Sequence, residues 1–171
     1  MQPRVLILMG SDSDFEVMSE AKKALDEVGV GCEVRVSSAH RTPERTGRLA
    51  REAASRGIEV IICGAGAAAH LAGVVAAETE LPVLGVPLAS TDLSGFDALL
   101  AMVQMPGGVP VGTLAVGKSG ARNAGLLAAR MLGRSDPQVA QKVREQRERM
   151  AREVEAKDQA LQVRLAGTEK K

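Results

Sequence analysis

Within the four residues Ser38-Ala39-His40-Arg41 the chain sets a hydroxyl, an imidazole and a guanidinium side by side. Histidine is the side-chain type that titrates near neutral pH unaided, so it can both give and take a proton. Arginine presents a planar fork of donors that fits a phosphate bidentately. Thr42-Pro43 follows at once, with the spacing of an N-cap and a first-turn proline. A proton donor and an anion clamp therefore stand just before a helix start. A second group precedes them: Gly10-Ser11-Asp12-Ser13-Asp14. Its glycine, hydroxyls and backbone N–H groups suit an anion at a helix start. Ser11 is the better candidate for a ligand. Ser13 is three residues before Glu16, so it either caps the helix or faces the ligand. Asp14 either accepts hydrogen bonds from ribose hydroxyls or favours the helix dipole. The third group is Gly64-Ala65-Gly66-Ala67-Ala68-Ala69-His70. Small residues let a ligand approach the backbone, here at Gly66. His70, the second of only two histidines, is either a positioning group at a helix start or a direct ligand contact.

All three groups fall where strands hand over to helices. Val5 to Met9 is a continuous apolar run, as in a strand buried on both faces. Met18, Ala21, Leu25 and Val28 then recur at helical spacing up to Gly29. Cys32 to Val36 alternates like a half-exposed strand, and a helix is expected from Pro43 to about Arg56. Ile58 to Cys63, Pro82 to Val86 and Val109 to Val116 read as three more strands. Helices are expected through Leu71 to Val75, Asp97 to Gln104 and Gly120 to Leu132. Alternating strands and helices predict an α/β fold of three layers, αβα, with a parallel five-stranded sheet. The expected order is 2-1-3-4-5, the flavodoxin-like arrangement, with alternating strand 2 at one edge and Pro110-bearing strand 5 at the other. In such sheets ligands bind beyond the carboxyl ends of the strands, where the three groups lie.

The body is expected to span residues 1–133 and a helical arm residues 134–171, both parts of one single-domain subunit. The arm holds ten basic and seven acidic side chains, against 12 and 14 in the whole body. A helix opens at Asp136-Pro137. Val139, Met150 and Leu161 recur at intervals of eleven, and so do Val143, Val154 and Leu165, which keeps a narrow apolar stripe on one side. Such a helix either packs on a neighbouring subunit or lies along its own domain.

Composition narrows the function. A formal net charge of +1 gives no field that would gather nucleic acid or an anionic membrane. With Phe15 and Phe96 the only aromatic residues, base-stacking surfaces and a flavin sandwich are not expected. Cys32 and Cys63 lack metal-ligand spacing and read as reduced, packed thiols. The chain has no HExxH and no G-x-S-x-G, so a metal or a serine nucleophile is not expected, and a triphosphate nucleotide is not expected either. The first apolar run is too short for a signal peptide or membrane span, and a cytoplasmic protein is expected.

Taken in order, GSDSD, SAHRTP, GAGAAAHLAG, MVQMPGGVPVGT and GKSGARNAGLLAARML resemble the PurE family over about residues 4 to 133. The resemblance implies a mutase of purine biosynthesis. It converts N5-carboxyaminoimidazole ribonucleotide to the 4-carboxy-5-amino isomer and uses no cofactor. It implies a flavodoxin-like subunit in a homo-octamer with shared sites. By motif position, Ser11 and Arg41 would hold the 5′-phosphate with Ser38 nearby, and Asp14 the ribose. Ser13, the backbones of Ala39 and Gly66 and the His70 region would surround the base and the migrating carboxyl. His40 would be the general acid and base. Ala67 stands where the family often has glycine, and Ala72 where it often has proline. Two rival readings remain: direct carboxylation of aminoimidazole ribonucleotide by free CO₂, and a non-catalytic phosphoribosyl-ligand sensor.

Overall fold

The computed structural model describes residues 2–168. Five parallel strands form one sheet in the order β2-β1-β3-β4-β5. They are β1 (Val5–Met9), β2 (Cys32–Val36), β3 (Val60–Gly66), β4 (Val83–Leu88) and β5 (Gly112–Thr113). The helices are α1 (Phe15–Glu27), α2 (Pro43–Arg51), α3 (Leu71–Ala77), α4 (Phe96–Val103), α5 (Lys118–Leu132) and α6 (Pro137–Thr168).

Period-two geometry explains why the central strands are apolar throughout. Along β1, Val5, Ile7 and Met9 enter one core with Met18, Ala21 and Leu25 of α1 and with Ala121, Ala124 and Ala128 of α5. Leu6 and Leu8 point the other way, into a core with Ala50 of α2, Leu71 and Val75 of α3 and Met102 of α4. Each fully buried leucine or isoleucine contributes about 1.5–3 kcal/mol relative to exposure. With hardly any aromatic residues the layers approach closely instead. A Cβ on Gly125 of α5 would lie 2.5 Å from the Ala21 carbonyl oxygen of α1, so glycine is required there. Cys32 is half-buried and Cys63 buried, on strands separated by β1, and both are free. Burial pushes the Cys63 thiol well above its ordinary range.

Several boundaries differ from the sequence reading. Helix α2 ends at Arg51 rather than near Arg56. A short 3-10 turn over Ala54–Arg56 and left-handed Gly57 (φ 86°) then bring the chain round to β3. Strand β3 runs from Val60 to Gly66 instead of stopping at Cys63. Gly64, Ala65 and Gly66 are poor strand formers, yet they pair with Val86, Pro87 and Leu88 of β4. Tertiary context selects their small size, because a Cβ on Gly64 would fall 2.4 Å from the Met18 sulfur. The fifth strand shrinks from an expected eight residues to Gly112–Thr113. Pro110 has no N–H to give a ladder, and Val109 donates back to Pro106 in a turn (3.2 Å). Strand β2 is an edge strand as expected, paired only with β1.

Asp136 starts α6, accepting from the N–H groups of Gln138 (3.0 Å) and Val139 (3.2 Å). The 32-residue helix is about 48 Å long. Val139 and Val143 join the core beneath α1 and α5, and Gln146 is buried. Further on, Met150, Val154, Leu161 and Leu165 stand exposed. The first turns thus pack on the helix's own domain and the rest does not. Among the described residues no helix is long and apolar enough to cross a membrane.

Candidate active site

The carboxyl ends of β1, β2, β3 and β4 surround a cleft of about 310 Å³. It lies beside the switch point between β1 and β3, where the chain leaves in opposite directions. Ser11, Ser13, Asp14, Ser38, Ala39, His40, Arg41, Gly66 and His70 all line it. The three groups picked out in sequence therefore meet in one place.

Residues 12–14 form a 3-10 turn before α1. Its cap is Ser11, not Ser13. The Ser11 hydroxyl accepts from the Ser13 N–H (3.4 Å), while the Ser11 N–H donates to Asp14 Oδ2 (3.0 Å), closing a reciprocal box. The extra turn displaces the cap two residues upstream of the position that spacing to Glu16 suggests. Ser13 Oγ donates to Ser11 Oγ (2.9 Å), which bundles the two hydroxyls at the cleft. Burial raises the Asp14 carboxyl above the usual carboxylate range, opposed by the N–H groups of Ser11 and Gly10.

The β2–α2 connection is a closed turn. Thr42 Oγ1 donates to the Ser38 carbonyl (2.9 Å) and accepts from the Ser38 N–H (3.0 Å), while Ser38 Oγ accepts from the Arg41 N–H (3.2 Å). Thr42 occupies the cap position of α2, but its side chain bonds backwards into this turn and makes no capping bond. Beneath it Ser37 and Thr46 share a buried hydroxyl pair (2.8 Å). A turn pinned at both ends pushes His40 and Arg41 outward. Both are exposed, and no partner for the Arg41 guanidinium exists among the described residues.

The β3–α3 connection carries backbone strain. Ala67 (φ 52°) and Ala69 (φ 40°) both adopt left-handed conformations, which cost an L-residue about 1–2 kcal/mol each. Ala69 N–H donates to the Gly66 carbonyl (3.0 Å), and His70 follows as the residue before α3. That tight turn brings His70 Nδ1 to 2.8 Å from His40 Nε2. Ser90, beyond β4, also lines the cleft. The sequence reading missed it, since it considered only the loops after the first three strands. A hydroxyl two residues past the end of an apolar strand was the available signal.

Residues 112–119, GTLAVGKS, have the G-x-x-x-x-G-K-S spacing of a phosphate-binding loop, a match that the sequence reading passed over. The fold does not build such a loop there. The Ala115 carbonyl oxygen sits where a Cβ on Gly120 would be (1.6 Å), against the first turn of α5. Lys118 Nζ is held by Glu16 at 2.8 Å. Within the stretch the Leu114 and Gly117 N–H groups donate to the Gly85 (2.8 Å) and Pro87 (2.9 Å) carbonyls, so they are not turned inward to cradle a phosphate. Among the described residues no cluster of three His, Cys, Asp or Glu side chains could hold a metal ion.

The AIR carboxylase family model matches residues 4–153. An N5-carboxyaminoimidazole ribonucleotide mutase from Mycobacterium tuberculosis is 57% identical over 166 residues, 97% of this chain and 94% of that protein. One of the same description from Thermotoga maritima is 55% identical over 160 residues, covering 94% and 92%. The crystal structure of Treponema denticola PurE superposes with a TM-score of 0.84 at 29% identity, covering 93% of this chain and 98% of that one. With the cleft on the shared fold and the match spanning nearly the whole body, the chain belongs to the AIR carboxylase family.

Proposed function

We propose that this protein is an isomerase that converts N5-carboxyaminoimidazole ribonucleotide to 4-carboxy-5-aminoimidazole ribonucleotide in purine biosynthesis. The observation that carries the reading is the position of His40. It stands at the rim of a cleft that also holds an unpaired guanidinium and a small-residue loop.

The substrate's parts match the cleft's parts. Arg41 and the Ser11 hydroxyl hold the 5′-phosphate, with Ser38 beside them. Asp14 accepts from the ribose. Ser13, the Ala39 and Gly66 backbones and His70 surround the heterocycle. The His40 imidazolium protonates the carbamate nitrogen, the N–C bond breaks and CO₂ is released. The Ala67–Ala69 turn keeps that CO₂ beside the ring. The nucleophilic ring carbon attacks it, and neutral His40 removes the proton left on carbon. The histidine ends as it began, so one group serves both steps and no cofactor is consumed.

The same reading makes the protein a cytoplasmic homo-octamer with no nucleic-acid or membrane partner. Two exposed apolar stripes support self-association. Leu93, Phe96, Leu100 and Val103 run along and just before α4 at spacings of three and four, and Met150, Val154, Leu161 and Leu165 run along α6.

Supplying each ribonucleotide separately tests the reaction. Rapid product formation from the N5-carboxylated ribonucleotide without added bicarbonate is expected. Product formed only from aminoimidazole ribonucleotide plus bicarbonate would make the protein a direct carboxylase. Nucleotide binding with no turnover of either would make it a sensor.

A further inference from the structure

We infer that the Ser90 hydroxyl is a substrate contact, donating a hydrogen bond to the carboxylate that moves between the exocyclic nitrogen and the ring carbon. The inference rests on the proposed mutase reading and adds a residue and a specificity to it. Strand β4 ends at Leu88, which pairs with Gly66 of β3. Two residues later the Ser90 N–H donates back to the Leu88 carbonyl (3.1 Å), which turns Ser90 over the end of β3. There its Oγ occupies the space of the missing Gly66 side chain, since a Cβ on Gly66 would fall 1.9 Å from it. Glycine at 66 thus does more than let the ligand approach. It makes room for this hydroxyl.

Among the described residues, the Ser11 and Ser13 hydroxyls donate to Asp12 and to Ser11, and Ser38 Oγ accepts from the Arg41 N–H, beside the phosphate clamp. The Ser90 hydroxyl has no partner among them, so the donor is uncommitted at the wall of a cleft that a ligand will cover. A covered, unpartnered hydroxyl is costly, so the bound ligand should supply its acceptor.

Topology selects which part of the ligand that is. Ser11 and Arg41 follow β1 and β2, on one side of β3, whereas Ser90 follows β4 on the other. A ribonucleotide with its phosphate at Arg41 reaches Ser90 with its opposite end, the heterocycle and its carboxyl. Arg41 is the only lysine or arginine among the residues that line the cleft. A neutral donor suits the step. A fixed cation would hold the anionic carboxylate more tightly than neutral CO₂ and so oppose the loss of that charge. A hydroxyl orients the carboxylate and releases it more readily.

The test is Ser90→Ala, assayed with the carboxylated ribonucleotides in both reaction directions. Binding of the uncarboxylated aminoimidazole ribonucleotide is measured in parallel. A lost hydrogen bond to a charged group should raise KM for both carboxylated ligands about 10- to 100-fold. Affinity for the uncarboxylated ribonucleotide and the melting temperature should not change. An unaltered KM overturns the assignment. So does equal weakening of all three ligands, which would place Ser90 on ribose or ring. If the unmodified protein turns over neither carboxylated ribonucleotide, the mutase reading fails and this assignment falls with it. Normal turnover in the unmodified protein with an unaffected Ser90→Ala variant removes the Ser90 role alone.

Discussion

Nε2 of His40 lies 2.8 Å from Nδ1 of His70, thirty residues along the chain, with the two rings edge-on at 75°. Two facing imidazole nitrogens at that distance share one N–H between them. The contact fixes the ring of His40 and leaves its Nδ1 without a partner among the described residues. In the proposed chemistry His40 moves the proton and His70 holds it in place, so their loss should differ in size. His40→Asn should keep the fold and substrate binding but lose turnover by about 10²-fold or more, the usual scale for acid–base groups. His70→Asn removes only the bond that positions the ring and leaves the proton carrier in place, so turnover should fall by about tenfold. Single-turnover assays of the two variants side by side check this. Equal losses would make the pair one catalytic unit and remove the distinction.

The sequence carried the sheet order and the cleft because both depend on strong local signals. Val5–Met9 has to be buried on both faces, and Gly29, Gly57 and Gly133 punctuate the helices. Histidine, arginine and serine just past strand ends had few other places to go. What could not be read locally was imposed by neighbours. Gly64–Gly66 are strand only because β4 pairs with all three, while the end of β1 and the Met18 side chain hold Gly64. The Thr42 side chain abandons its cap for a bond to Ser38 that no spacing rule encodes. The His40–His70 contact depends on left-handed alanines at 67 and 69, a conformation that alanine's own preferences oppose.

Arg41 makes no side-chain bond in the described structure, so removing it should disturb nothing but the ligand. Arg41→Ala is expected to raise KM for the ribonucleotide about 10- to 100-fold, the worth of a charge-assisted contact, with kcat little changed. A nucleoside lacking the 5′-phosphate should bind the variant and the unmodified protein equally. Unchanged affinity with a reduced rate would move Arg41 from the phosphate to the reacting groups.

Asp14 links function to stability. Burial raises its carboxyl above the usual range despite two opposing N–H groups. A carboxyl raised by folding binds its proton more tightly in the native state than in the unfolded chain. Its stabilising contribution is therefore fully present in acid, below the unfolded value, and is lost as pH rises through the folded value. At neutral pH the ionised group is a cost that ribose recognition explains. Asp14→Asn keeps an oxygen for the Ser11 N–H and removes the charge. The variant should melt higher than the unmodified protein at neutral pH, lose that advantage in acid, and bind ribonucleotide more weakly. Thermal melts across the acid-to-neutral range measure the first two effects. A variant that melts lower at neutral pH would show that the charge serves the Ser11 cap instead.

Helix α6 makes the assembly testable without touching the cleft. Val139, Val143 and Gln146 are buried, and Arg149 reaches Glu27 of α1 (3.4 Å). Met150 and Val154, 48% and 65% exposed, begin an apolar stripe with no cover in the single subunit. A stripe of this kind is retained where another surface buries it. Deleting residues 151–171 leaves the buried turns and the Glu27 contact intact, so the sheet and its helices should keep their circular dichroism and cooperative melting. The particle mass from light scattering should fall, because the arm no longer bridges copies. Replacing Val154 and Leu161 with glutamine in the full chain should have the same effect with less change in length. An assembly of unchanged subunit number in both variants would show that the arm takes no part in it and leave the α4 stripe as the surface that joins subunits.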